Sequence, residues 1–263
     1  MIIEYHRPET ISQALELLAR PQPLTLPLGG GTTLARQANE MDEPVALVDL
    51  QRLPLREIRR EGQLLQVGGG VTLQQLVEHP DVPAALRASL TIEAGLNLRH
   101  MATAAGTIIT CDGRSPFVTA LLALDPRLLW VEAGQGEETQ VSLGEFLMLR
   151  GARPASSGRL LTAIQFPLNA ELHFESIART PLDRPVVCAA LAAWPSGRAR
   201  LALGGYGKAP ILAMDGPEPG GAGMAARSAY RAAEDAWATA EYRSAAAAVL
   251  AERLVASLQR GAA

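Results

Sequence analysis

The chain is short of the residues that build metal centres. Only two cysteines occur in 263 residues, Cys111 and Cys188, far apart in sequence. An iron–sulfur cluster usually takes four thiolates, so two cannot house one unaided; both are expected to act as small buried apolar residues. The four histidines, His6, His79, His100 and His173, show no ligand spacing, and no metal site is expected. Basic residues are not in excess: Lys and Arg total 24 against 27 Asp and Glu, a net charge of -3. That balance offers nothing to attract nucleic acid. No run of about 18 apolar residues is free of charge or proline, so no membrane span is expected. The N-terminus, Met1 to Pro8, lacks a signal-peptide layout, and a soluble, cytoplasmic protein is expected.

Two nucleotide signatures are also missing. A Rossmann fingerprint needs a third glycine where this chain has Leu34. A Walker A loop needs Gly-Lys-Ser/Thr, and the pair Gly207-Lys208 is followed by Ala209.

What the chain does have is 48% apolar residues, enough for one large domain or two to three small ones. Its most informative stretch is Leu24-Thr-Leu-Pro-Leu-Gly-Gly-Gly-Thr-Thr-Leu-Ala35, an apolar strand running into Gly29, Gly30 and Gly31. Consecutive glycines permit positive φ and let several N–H groups face one concavity, a nest for phosphate oxygens. Thr32 and Thr33 add hydroxyls beside it. The same residues read equally well as a tight strand-to-helix turn. A second copy, Gly68-Gly-Gly-Val-Thr-Leu73, follows the strand Leu64–Val67 and reads as such a turn.

Further strands are expected at Ile2–Tyr5, Val45–Leu50, Leu128–Val131 and Leu160–Phe166. Capping-box patterns at Thr10/Gln13, Thr72/Gln75 and Ser142/Glu145 open helices. Pro83–Glu93 and Phe117–Leu124 also read as helices, and Arg150–Gly158 as a loop. Leu98–Pro116 is rich in small and hydroxyl residues and fits neither period. Three antiparallel strands follow, Leu172–Ala178, Val186–Trp194 and Arg198–Leu203; then a linker, Asp215–Gly223, and helices over Met224–Ala238 and Glu241–Leu258. The expected class is α+β: two small α/β subdomains, 1–58 and 59–168, then an antiparallel sheet with helices, 169–263.

In this order the motifs resemble those of the FAD-binding medium subunit of molybdenum hydroxylases, the carbon monoxide dehydrogenase and xanthine dehydrogenase family. Pro27-Leu-Gly-Gly-Gly-Thr-Thr-Leu34 is similar to its first flavin motif, and Leu121-Leu-Ala-Leu-Asp125, Gly158–Ile164, Leu201–Gly205 and Ala240-Glu-Tyr-Arg243 to later markers. The second flavin motif departs from the family pattern: Ala102 and Ala105 replace glycines, Thr107 an asparagine, and Pro116 an aspartate.

The resemblance implies a two-part FAD domain (the PCMH type) and a C-terminal flavoprotein domain. FAD would be bound by Gly29, Gly30, Gly31, Thr32, Thr33 and Leu34, by Ala102, Thr103, Ala105, Gly106 and Thr107, by Asp112, and by Leu160 and Leu161. Val at Gly30 or Gly31 should remove the flavin and spare the fold. No catalytic residue is implied. The implied partners are a small [2Fe-2S] subunit and a large molybdopterin subunit, with NAD, quinone or oxygen as electron acceptor. The altered second motif motivates the alternative of a scaffold member without flavin.

Overall fold

The computed structural model describes residues 1–34, 37, 40–134, 137–150, 158–181 and 183–261. The chain forms two compact units. One takes Met1–Leu76, Leu96–Thr110 and Arg127–Gln165; the other takes Val77–Gly95, Cys111–Pro126 and Phe166–Ala263.

In the first unit, β1 (Ile2–His6), β2 (Leu24–Leu28) and β3 (Val45–Asp49) form a parallel sheet in the order β1-β3-β2. The central strand β3 is buried at all its positions, which is why it reads as a continuous apolar run. Helix α1 (Ile11–Leu18) starts at the expected capping box: the Thr10 hydroxyl accepts the Gln13 N–H, and the Gln13 side chain accepts the Thr10 N–H. Ala14, Leu15 and Leu18 pack against Val48, Leu53, Leu55 and Leu160. Burying each leucine is worth about 1.5–3 kcal/mol.

A five-stranded sheet follows: β4 (Ile58–Glu61), β5 (Leu64–Gly68), β6 (Arg127–Glu132), β7 (Thr139–Ser142) and β8 (Arg159–Pro167), in the order β4-β5-β8-β6-β7. The two edge strands, β4 and β7, are not expected from the sequence. They read Ile-Arg-Arg-Glu and Thr-Gln-Val-Ser, largely exposed, so no apolar alternation betrays them. After β5 come α2 (Leu73–Glu78), opened by the Thr72/Gln75 box, and α3 (Ala84–Glu93), which belongs to the second unit.

The stretch that fits neither period holds two short helices, α4 (Leu96–Met101) and α5 (Ala104–Thr110), a correction to the irregular reading. None of the α4 residues is buried, so it carries no apolar stripe. The Thr103 hydroxyl accepts the Gly106 N–H and caps α5. The third box is present on its hydroxyl side: Ser142 accepts the Glu145 N–H at the start of α7 (Leu143–Leu149). Of the expected loop Arg150–Gly158, residues 151–157 lie outside the described residues.

The second unit is built on the antiparallel sheet β12-β11-β10-β9: β9 (Glu171–Ile177), β10 (Val187–Ala193), β11 (Ala199–Gly204) and β12 (Ile211–Gly216). Alternate residues of β10 and β11 serve different layers. Val187, Ala189, Leu191, Leu201 and Leu203 join the core with α8 (Ala222–Ala229) and α9 (Ala240–Gly261). Cys188 and Arg200 face α6 (Pro116–Ala123): the Cys188 thiol lies 3.6 Å from the Thr119 hydroxyl, and Arg200 donates to the Leu122 carbonyl at 3.2 Å. With both faces covered, both strands are apolar and small, and both cysteines are buried as expected. Asp125, in the left-handed region at φ 55, pairs with Arg198 and Arg200.

Two expectations are corrected here. Asp215 and Gly216 belong to the half-exposed edge strand β12, not to a linker. The helix expected over Met224–Ala238 stops at Ala229. Beyond it, the Asp235 carboxylate accepts the N–H groups of Trp237 and Ala238 and an ion pair from Arg243, a local arrangement that competes with helix. Among the described residues no helix is long and apolar enough to cross a membrane. The α+β class, with antiparallel sheets, is the one expected.

Candidate functional site

The two glycine loops differ in what becomes of their N–H groups. The Leu50 N–H still bonds the Leu28 carbonyl at 3.0 Å. Beyond that point the N–H groups of Gly29, Gly30, Gly31 and Thr32 have no acceptor among the described residues. Gly31 is left-handed, at φ 72. Adjacent unspent amides around a left-handed glycine make an anion nest. Thr33 accepts the Gln37 N–H on its carbonyl, and Leu34 packs against the core of Leu26, Val45 and Leu47, so these two anchor the loop.

In the second loop every glycine N–H is spent: Gly68 on the Glu57 carbonyl, Gly69 on Thr162 and Gly70 on Leu55, at 2.7–2.8 Å. A Cβ on Gly68 would come within 2.3 Å of the Leu55 oxygen, and one on Gly69 within 2.4 Å of the Leu161 oxygen. These glycines serve close backbone packing, as the plain-turn reading had it.

Gly29, Thr103, Ala105, Gly106, Leu160 and Leu161, all expected from the sequence, line one narrow cleft of the first unit with about 60 Å³ free. That is room for part of a dinucleotide. Pro27, Leu50, Gln51, Leu55, Arg56, Gly69, Gly70 and Ile109 complete the walls and were not expected as site residues. The segment from Leu50 to Arg56 carries no motif; its only signal was its place after the buried strand β3.

The second motif turns its polar groups inward. The Thr103 Oγ1 takes the Gly106 N–H at 3.2 Å and would lie 2.9 Å from a Cβ at either Gly29 or Gly106. Thr107 donates its hydroxyl to the Thr103 carbonyl at 2.9 Å. The N–H groups of Ala102, Ala104 and Ala105 go to the carbonyls of Leu98, Val71 and Gly69. This stretch shapes the wall through backbone and small side chains.

Asp112 lies in the second unit, not among the cleft residues, and its carboxylate is already held. Arg184 clamps both oxygens, at 2.8 and 2.5 Å, and the Arg114 N–H binds one of them at 2.8 Å. Burial pushes its pKa up, but Arg184 and Arg114 outweigh burial and hold it below the usual range. Pro116 opens α6 just after Ser115, its cap. The carboxylate at this helix start comes from Glu93, which accepts the Ser115 hydroxyl at 2.7 Å and the Phe117 N–H at 3.0 Å. Burial pushes the Glu93 pKa up despite those bonds. Nothing in the sequence pointed to Glu93.

Residues 1–169 match the family described as the FAD-binding domain in molybdopterin dehydrogenase. This chain belongs to that family. It is 31% identical over 217 residues to YgfM of Escherichia coli, covering 82% of this chain and 79% of that protein. It is 29% identical to the putative xanthine dehydrogenase FAD-binding subunit XdhB of Escherichia coli, over 79% of this chain and 75% of that one. The carbon monoxide dehydrogenase medium chain of Afipia carboxidovorans is 26% identical over 96% of this chain and 95% of its own. Quinoline 2-oxidoreductase from Pseudomonas putida 86 shares the fold, with a TM-score of 0.82 at 22% identity over 99% of this chain and 98% of that chain.

FAD is the cofactor of this flavoprotein family, and oxidoreductase complexes are its setting. The family match favours flavin binding over the scaffold alternative. The residues present fit the group: unspent amides at Gly29–Thr32, a left-handed Gly31, and an apolar cleft beside them.

Proposed function

We propose that the chain is the electron-transfer subunit of a molybdenum hydroxylase complex. In this reading a large molybdopterin subunit oxidises substrate, and a small [2Fe-2S] subunit delivers electrons here. They leave to NAD, a quinone or oxygen. FAD, when bound, supplies the step between one-electron carriers and that acceptor.

The observation that carries this reading is the row of unspent N–H groups from Gly29 to Thr32. They bind and orient the pyrophosphate, Thr32 and Thr33 add hydroxyls, and Leu34 anchors the loop. Ala102, Thr103, Ala105, Gly106 and Thr107 shape the facing wall, while Leu160 and Leu161 keep water from the apolar part of the cleft. Residues 1–58 and 59–168 carry the flavin, with 169–263 as the third part. No residue serves as general acid, base or nucleophile, and the isolated chain turns over no substrate, because two cysteines cannot house the clusters that link donor to flavin.

Purified full-length protein should carry a yellow flavin band, or take up FAD with saturable quenching of flavin fluorescence. A colourless, well-folded protein that ignores added FAD would overturn the reading.

A further inference from the structure

A second cavity, of about 320 Å³, lies within the second unit beside Arg179, Trp237 and Tyr242, with Ile177 and Val186 in its wall. Trp237 is 49% exposed and Tyr242 is 51% exposed, unusual for large rings on a surface otherwise poor in aromatics. Two guanidinium groups sit at Trp237: Arg114 at 4.4 Å and Arg179 at 5.3 Å from the ring centroid. Both are fixed by carbonyls. Arg114 donates to Pro185 at 3.1 Å and to Arg184 at 2.7 Å, and Arg179 donates to Trp237 at 3.2 Å.

Neither arginine has a carboxylate within ion-pair distance among the described residues. The aspartates around them are committed, Asp112 to Arg184 and Asp235 to Arg243. The Arg114 pKa is pulled down by burial and then by the charge of Arg184, which the more distant charges of Asp112 and Asp235 only partly oppose. Arginine stems often pack on tryptophan for the sake of their methylenes. That alone gives no reason for a concave, partly apolar cavity beside two fixed guanidinium groups that lack a contact ion pair among the described residues.

We propose that this cavity is a nucleotide site: the phosphates meet Arg179 in its wall, Arg114 adds positive charge from its place on the Trp237 ring, and the flat base lies against Tyr242 and the apolar wall of Ile177 and Val186. Its volume is at the small end of ligand pockets, roughly 300–1,000 Å³, and suits a mononucleotide. An inorganic anion would have no use for the apolar wall, and a neutral ring no use for the arginines. The site shares no residue with the glycine cleft and stands independently of the flavin reading.

The test is equilibrium dialysis of the full chain with ADP, run with and without saturating FAD, alongside pyrophosphate and adenosine. ADP should bind one per chain with FAD present, and both fragments should bind at least ten-fold more weakly. Arg179→Gln and Trp237→Leu should each weaken ADP ten-fold or more; Arg179→Gln, at an exposed position, carries the test if the tryptophan variant fails to fold. Two results would overturn the site: ADP binding that FAD abolishes and Arg179→Gln leaves alone, or no ADP binding at millimolar concentration. Equal binding of pyrophosphate would reduce it to an adventitious anion patch.

Discussion

A Cβ on Gly30 would lie 1.7 Å from the carbonyl oxygen of Met101. The atom it meets is backbone at the end of α4, which cannot swing away as a flexible side chain could. Gly30 is therefore held first by packing, and the expectation that valine there spares the fold is corrected.

Gly30→Ala should cost about 3 kcal/mol of stability. Gly31→Ala should cost about 1–2 kcal/mol, since only its left-handed φ is strained and its nearest neighbour, a Leu28 methyl, is 3.4 Å away. Urea unfolding of both checks this. Equal losses would mean that the two glycines are held in the same way.

Asp112 sets a pH dependence. Its pKa is lowered in the folded state, so it contributes stability above the ordinary carboxylate range and loses it as pH falls through the lowered value. Asp112→Asn should flatten the loss of stability below about pH 4. The check is thermal unfolding from pH 7 to pH 2 for parent and variant; an unchanged acid limb would show that the Arg184 clamp contributes nothing.

Burial pushes the Cys188 thiol up to about 12, outweighing its contact with Thr119. The nucleophile is the thiolate. At pH 8 the folded protein should leave Cys188 unlabelled by iodoacetamide, and unfolding in guanidinium should release it. Peptide mass mapping reads this directly, and native labelling of Cys188 would show that the second unit opens readily.

Arg243 is fully buried. It donates to the carbonyls of Val186, Ala233 and Ala238, pairs with Asp235 at 2.9 Å, and lies 5.0 Å from the Tyr206 ring centroid. Arg243→Met should cost about 3–5 kcal/mol, because Asp235 and three carbonyls lose their donor. Arg243→Lys should recover only part of that, lacking the planar fork. Denaturant midpoints of the two variants decide; a lysine variant as stable as the parent would mean that charge alone matters.

Much of this was legible because it lies in short-range chemistry. The Thr10/Gln13 and Thr72/Gln75 boxes, the buried run Val45–Asp49 and the glycine triad are local signals, and each marks a real element. What was not legible depends on distant partners. Glu93 reaches α6 across more than twenty residues, and the amides of Ala104 and Ala105 end on the distant carbonyls of Val71 and Gly69. Edge strands β4 and β7 carry little apolar pattern because they bury little. The two triads look alike in sequence, and only the partners of their amides separate a candidate cradle from a turn.

The alternation of chain segments between the two units bears on how such a protein can be divided. A gene cut at residue 169, where the family match ends, would keep α6 but discard β10 and β11, leaving a helix with all eight residues buried without its cover. Such a fragment should be insoluble. A chimera that swaps the C-terminal part between relatives must therefore match the Thr119–Cys188 and Leu122–Arg200 contacts.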